Sequence, residues 1–201
     1  MTEPLVHVID DDEAVRVSLA FRLEMEEMAN RTYASPLEFL AVASSIKTGC
    51  VVTDVRMPEM SGLELVRRLQ DRGVTLPIIV ITGHGDMPLA VEALRAGVKD
   101  FIEKPFDDEV LLAAIRRALS SRAAASAPDA GRERFDQMVS GLSGREREVL
   151  EGVVAGKLNK TIAHELGISP RTVEVYRAKM MSKTGAAGLS DLIRIALLAG
   201  F

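Results

Sequence analysis

The residues best suited to chemistry are carboxylates that end apolar runs. Leu5–Ile9 leads into Asp10-Asp11-Asp12-Glu13, and Cys50-Val51-Val52-Thr53 leads into Asp54, followed by Val55-Arg56-Met57-Pro58. A short apolar run bounded by turn residues predicts a buried strand, and open α/β sheets gather their ligands at strand C-termini. Asp54 packs poorly there, so it is the candidate for chemistry. Thr82 closes a third run from Pro77, and Lys104 follows a short one around Phe101. In a parallel sheet, Asp10, Asp11, Asp54, Thr82 and Lys104 share one rim. Three carboxylates in one place repel unless a cation sits among them, and oxygen-only donors favour Mg²⁺. Lys104 offers a point charge to a phosphate oxygen, and Thr82 offers a hydroxyl. A carboxylate nucleophile beside Mg²⁺ and a lysine is equipped to accept a phosphoryl group.

The elements that must hold these groups alternate. Strands are expected at Leu5–Ile9, Ala29–Tyr33, Cys50–Asp54, Pro77–Thr82 and around Phe101, with Asn30 a poor strand residue. Val15, Leu19 and Leu23, with Val17 and Phe21, predict a first amphipathic helix of about four turns. Ser35-Pro36 opens a second helix as N-cap and first-turn proline. Helices over Gly62–Arg72, Met87–Arg95 and Asp107–Leu119 follow. Strand–helix alternation predicts a parallel sheet covered on both faces. Asp12, or Asp11 instead, also suits an N-cap, and capping is the better reading for Asp12. His7 and His84 have no metal-spaced partner, so structural or solvent roles are preferred.

A chain of 201 residues holds one large or two smaller domains. No apolar run is long enough to span a bilayer, and the N-terminus has no signal-peptide pattern. A single cysteine, Cys50, excludes an internal disulfide and suits a reducing cytoplasm. Residues 1–120 carry 13 Lys/Arg against 20 Asp/Glu, whereas residues 121–201 carry 12 against 9. An acidic half joined to a basic one suggests a cation or phosphoryl site in the first and an anionic partner for the second.

Small residues from Ser120 to Gly131 mark a linker, and 132–139 is a further helical piece. Ser143 and Glu146 form a capping box that opens a helix ending at Gly156. A short helix over Lys160–Leu166, a Gly167-Ile168-Ser169 turn and a helix from Pro170 make a helix-turn-helix candidate. A last helix, about Ser190–Leu198, covers it. On the third of these helices Val173, Tyr176, Met180 and Thr184 share the core face, and Arg171, Glu174, Val175, Ala178 and Ser182 share the other. Small apolar residues on an outer face are wasted unless something covers them. DNA fits: Arg171 can read guanine or phosphate, Glu174 a cytosine amino group, and Val175 or Ala178 thymine methyls. Lys160, Thr172, Arg177, Lys179 and Lys183 are candidate phosphate clamps. The alternative is a protein-binding helical domain with a solvated basic rim.

Asp10-Asp11, Asp54-Val-Arg-Met-Pro, Thr82-Gly-His-Gly-Asp and Lys104-Pro105-Phe106 together resemble the receiver domain of two-component response regulators over about the first 120 residues. Asn159-Lys160-Thr161-Ile162-Ala163 with Ile168-Ser169-Pro170-Arg171-Thr172-Val173-Glu174-Val175-Tyr176-Arg177 resembles the LuxR-type output domain. The whole chain is similar to the FixJ/NarL branch of these regulators. The resemblance implies a five-stranded, flavodoxin-like doubly wound receiver over residues 1–121, a linker over 122–140 and an all-α helix-turn-helix domain over 141–201. It implies Asp54 as phospho-acceptor, with Lys104 and Thr82 beside it. Asp10, Asp11, Asp54 and the Arg56 carbonyl would hold Mg²⁺, Thr82 and Phe101 would form a switch pair, and the Lys104–Pro105 bond would be cis.

Implied partners are a sensor histidine kinase, double-stranded DNA, a second copy on phosphorylation and RNA polymerase. The implied setting is a cytoplasmic regulator, not an enzyme, of nitrogen-fixation or microaerobic genes. Three departures stand out: Thr184 and Lys99 replace apolar residues, and Glu27-Met28-Ala29-Asn30 replaces a glycine-aromatic approach to the second strand. A phosphohydrolase working through an aspartyl-phosphate is a rival, but Arg56 occupies the place of the acid/base carboxylate it would need two residues after Asp54. The other rival is a phospho-switched protein-binding module without DNA contact.

Overall fold

In the computed structural model, residues 4–83, 87–120, 135–186 and 188–201 are described. Residues 122–134 of the expected linker (122–140) and His84 lie outside them. The chain divides into two compact units, residues 1–84 with 96–123 and residues 85–95 with 124–201.

The first unit is built on five strands, β1 (Leu5–Ile9), β2 (Asn30–Tyr33), β3 (Gly49–Asp54), β4 (Ile78–Thr82) and β5 (Asp100–Glu103). All neighbours pair in parallel, in the order β2-β1-β3-β4-β5. Its helices are α1 (Glu13–Met25), α2 (Pro36–Ala43), α3 (Gly62–Asp71) and α5 (Asp108–Ser120), while α4 (Met87–Arg95), between β4 and β5 in the chain, groups with the second unit. Side chains alternate across a strand, so register fixes which residues share a face. Val6 and Val8 align with Cys50 and Val52, and these continue to Ile79, Ile81 and Ile102. With Leu19 and Leu23 of α1 and Leu111, Leu112 and Ile115 of α5 they form one buried cluster. Asp54 aligns with Ile81, so its side chain belongs to this α1/α5 face. The opposite face carries His7 of β1, Tyr33 of β2 and Phe39 of α2, with Tyr33 and Phe39 edge-to-face at 5.1 Å between ring centroids.

Two expectations change. Val17 and Phe21 do not join the core; they are 62% and 64% exposed. At 100° per residue Val17 lies roughly 200° from Val15, while Leu19 and Leu23 stay within about 80° of it. The sheet therefore takes the Leu19–Leu23 stripe and leaves the other outside. The second strand begins at Asn30, not Ala29, and sits at the sheet edge. The Asn30 amide donates to the carbonyls of Met28 (3.3 Å) and Ala20 (3.4 Å), which satisfies a polar residue poorly suited to a strand.

In the second unit a helical turn at 135–139 precedes α6 (Gly144–Val154), α7 (Asn159–Leu166), α8 (Pro170–Thr184) and α9 (Leu189–Leu198). Ser143 and Glu146 make the expected capping box of α6. Gly167 ends α7 in the left-handed region (φ 66°), and Ser169 caps α8 through Thr172 N at 3.1 Å. Gly152 lets α6 and α7 touch: a Cβ there would fall 2.7 Å from Ile162 Cγ1. Leu150, Ile162, Val173, Met180, Leu192 and Ile193 are buried and form the core of this unit. Thr184 is buried too, and its hydroxyl donates to the Met181 carbonyl at 3.3 Å.

Candidate functional site

Asp54 is the last residue of β3 and is 8% exposed. The chain stays on the sheet for one more residue, as Val55 N donates to Ile81 O at 2.9 Å. It then loops back until Gly62 N reaches Val55 O at 3.0 Å. That return is so close that a Cβ on Gly62 would sit 2.3 Å from the Asp54 carbonyl oxygen. The loop turns Arg56 N onto Asp54 Oδ2 at 2.6 Å.

Lys104 follows β5, joined to Pro105 by a cis peptide bond, and its own N donates to Thr82 O at 2.8 Å. Its Nζ donates to Asp54 Oδ1 at 2.7 Å and lies 3.7 Å from Asp10 Oδ2. Burial opposes the charge on Lys104, but the hydrogen bond and charge of Asp54, with the charge of Asp10, outweigh it and raise its pKa.

Asp10, one residue past β1, is 3% exposed. Its Oδ1 accepts from Asp12 N at 2.9 Å, whereas its Oδ2 is buried without a hydrogen-bond donor. Burial is the main cause of its raised pKa; the bond from Asp12 and the charge of Lys104 oppose the rise. A buried carboxylate oxygen lacking a donor suits a hard cation. Asp11 is exposed, and Asp12 proves to be the helix cap, accepting from Ala14 N at 2.8 Å. Among the described residues no three His, Cys, Asp or Glu side chains are already grouped as a metal cage. The donors present are all oxygens and fit Mg²⁺, an ion that keeps several waters and takes few carboxylates.

Arg16 was not foreseen. Its Nη1 donates to the carbonyls of Asp10 (2.9 Å) and Asp11 (3.0 Å), which holds the acidic turn in shape. An arginine one turn after the Asp12 cap was the available signal.

Thr82 is buried, and its hydroxyl donates to the Ile102 carbonyl at 3.4 Å, not to Asp54. Thr82 aligns with Glu103 and Val80 with Phe101, so Thr82 and Phe101 occupy one side of adjacent strands, the side opposite Asp54. Phe101 is buried.

On α8 the division into faces follows the helical period. Val173 and Met180 are buried, Tyr176 is half-buried, and Arg171, Glu174, Val175, Ala178, Lys179 and Ser182 are exposed. Val175 is 47% exposed, an apolar side chain with nothing over it. Lys160, at the start of α7, is exposed as well. Three candidate clamps have structural bonds: Arg177 Nη1 donates to Asn159 Oδ1 (3.1 Å), the Thr172 and Ser169 hydroxyls share a bond (2.8 Å), and Lys183 Nζ meets Glu146 Oε2 (2.7 Å).

Comparison with known proteins agrees with both halves. Residues 6–116 match the response regulator receiver domain family, and residues 140–196 match the LuxR family of bacterial regulatory proteins. The chain is 54% identical to the transcriptional regulatory protein FixJ of Azorhizobium caulinodans, over 97% of this chain and 92% of that protein. Identity to the FixJ of Rhizobium meliloti is 52%, over 100% of this chain and 98% of the other. The crystal structure of full-length FixJ from B. japonicum, 45% identical, superposes with a TM-score of 0.58 and covers 100% of this chain and 98% of its own. A parallel sheet in the order 2-1-3-4-5, an acidic rim around Asp54 and a LuxR-type helical domain, joined in one chain with these relatives, place the protein in the FixJ-like response regulators of two-component systems, DNA-binding transcription regulators and not catalytic enzymes.

Proposed function

We propose that a sensor histidine kinase supplies a phosphoryl group to Asp54, and that this modification promotes self-association and DNA binding. The observation that carries the reading is the ammonium of Lys104 held 2.7 Å from Asp54 and 3.7 Å from Asp10. In the transfer an Asp54 carboxylate oxygen forms a bond to phosphorus as the bond from phosphorus to the kinase histidine nitrogen breaks. The electron pair leaves on the imidazole. Lys104 passes from the carboxylate to a phosphoryl oxygen and offsets the charge that accumulates there. Asp10, Asp11, Asp54 and the Arg56 carbonyl would hold Mg²⁺, which when bound neutralises the phosphoryl oxygens.

The phosphorylated side chain carries more charge and more acceptors than aspartate. We infer that it draws the Thr82 hydroxyl away from Ile102, that Phe101 repacks, and that β5 and α4 then present a face for a second copy. Residues 1–121 serve as receiver, 122–140 as linker and 141–201 as the DNA-binding domain. Arg171, Glu174, Val175 and Ala178 face the base edges, and Lys160, Lys179 and the more enclosed Thr172 and Arg177 lie toward the backbone phosphates. The exposure of Val175 supports DNA over bare solvent. The reading places the protein in the cytoplasm, acting with RNA polymerase on nitrogen-fixation or microaerobic promoters. Among the described residues no helix is long and apolar enough to cross a membrane.

The experiment is duplex binding before and after treatment with acetyl phosphate and Mg²⁺. Treated protein is expected to bind more tightly, with salt-dependent affinity that Lys179→Ala reduces, and to have a larger mass by light scattering. Equal affinity with and without acetyl phosphate contradicts the proposal. A mass increase without any DNA binding supports the protein-binding alternative.

A further inference from the structure

The recognition helix α8 is tied to its neighbour by a side chain that the sequence offers equally well to a phosphate. Lys183, in the last turn of α8, places its Nζ 2.7 Å from Glu146 Oε2 in the first turn of α6. The same carboxylate oxygen accepts from Ser143 N at 2.7 Å, and Ser143 Oγ accepts from Glu146 N at 3.3 Å. Glu146 is only 3% exposed, while the Lys183 side chain is 43% exposed. A carboxylate this enclosed is strongly destabilised when its cation is removed. Lys183 and the Ser143 backbone hold its pKa at about 2, so it stays ionised at any pH where the protein works. A lysine whose charge is already matched by a buried anion has less to gain from a phosphate than the exposed Lys179 on the same helix.

Resting on the DNA-binding reading above, we infer that Lys183 is a positioning residue: through Glu146 it fixes the C-terminal end of α8 against α6, and it does not clamp a DNA phosphate. Glu146 then belongs to the recognition apparatus although it lies on the first helix of the domain. The Arg177–Asn159 bond ties the middle of α8 to α7 in the same manner. The helix is held along its inner side and presents Arg171, Glu174, Val175 and Ala178 outward.

The test uses the full chain, treated with acetyl phosphate and Mg²⁺, and a mixed-sequence DNA duplex titrated over a range of salt concentrations. Each phosphate contact contributes about 0.9 to the slope of log affinity against log salt. Lys183→Gln is expected to weaken binding about tenfold at every salt concentration while leaving the slope unchanged. Lys183→Arg, which keeps the ion pair, should restore affinity. Lys179→Gln should lower the slope. Glu146→Gln preserves the capping box but releases the ammonium, and separates the two roles by sign: a positioning pair gives weaker binding, a phosphate clamp gives tighter binding with a steeper slope.

Amide hydrogen exchange over 180–184 gives a DNA-independent readout. Faster exchange in folded Lys183→Gln supports the inference, and unchanged exchange overturns it, as does a slope loss matching that of Lys179→Gln. A wild-type chain that binds no duplex defeats the DNA-binding reading, while the exchange result still decides whether Lys183 anchors α8.

Discussion

Lys104 Nζ lies between the carboxylate that ends β3 and the one just past β1, 2.7 Å from Asp54 Oδ1 and 3.7 Å from Asp10 Oδ2. One ammonium cannot neutralise two carboxylates, and the site keeps a net negative charge ready for a further cation. In the proposed phosphoryl transfer the lysine would carry positive charge to where phosphoryl oxygens gather. Lys104→Gln keeps a polar side chain but removes the charge, and should slow phosphoryl uptake from acetyl phosphate by about 100-fold, the scale of losing one preorganised electrostatic contact. Rates of phosphoprotein formation on a phosphate-retarding gel measure this. An unchanged rate places the lysine outside the chemistry.

Binding of a cation to the folded acidic rim must stabilise the fold by mass action. Mg²⁺ should raise the melting temperature of the wild-type chain by a few degrees. In Asp10→Asn, where the donorless carboxylate oxygen is lost, the rise should be small. Differential scanning calorimetry with Mg²⁺ and with a chelator reads both, and an equal rise in the two proteins removes Asp10 from the metal site.

The Asp54 loop depends on a missing side chain. A Cβ at Gly62 would lie 2.3 Å from the Asp54 carbonyl, so Gly62→Ala must push backbone apart. The expected cost is about 2–4 kcal/mol in urea unfolding, with slower phosphorylation because Asp54 and Arg56 shift together. Gly144 is the control, since a Cβ there meets nothing within 4 Å. Gly144→Ala should be neutral or stabilising by ~0.5 kcal/mol. Equal effects from the two substitutions contradict the close-approach argument.

The sequence carried most of this arrangement because the acidic rim needs only strand parity. Once Asp10, Asp54 and Lys104 are placed at or just past strand ends, a parallel sheet brings them together. The register of Val8 with Val52 and of Ile81 with Ile102 supplies that placement. Less visible was which apolar stripe of α1 faces the sheet: Val15-Leu19-Leu23 and Val17-Phe21 both have helical spacing, and packing, not periodicity, selects the first. The polar connections of the second unit were also hidden. A lysine at 183 reads as a surface cation until the buried Glu146, 37 positions earlier in the chain, is seen beside it. Asp12 was readable as a cap from its position alone, whereas Arg16 required the turn to be built before its contact with two carbonyls had meaning.

His7 supplies a pH dependence separate from the proposed phospho-acceptor site. It is 2% exposed, its Nδ1 shares a 3.0 Å hydrogen bond with the Tyr33 hydroxyl, and Nε2 is buried without a partner. Burial, with a smaller contribution from the Arg31 charge, lowers its pKa from 6.5 to about 4. The folded pKa lies below the unfolded one, so the unfolded chain takes up the proton first as pH falls. The stability lost through this group develops between pH 6.5 and about 4, levels off below that window, and reaches at most ~3 kcal/mol. Urea unfolding of wild type and His7→Asn should show a difference that changes across this window and is constant above it. A difference independent of pH contradicts the assignment.

Every role proposed for the acidic rim depends on Asp54 receiving the phosphoryl group. The direct measurement is intact-protein mass after incubation with acetyl phosphate and Mg²⁺, for the wild-type chain and Asp54→Asn. The wild type is expected to gain one hydroxylamine-sensitive phosphoryl group and the variant none. A wild-type mass that stays unchanged, or a variant that gains the same group, contradicts it.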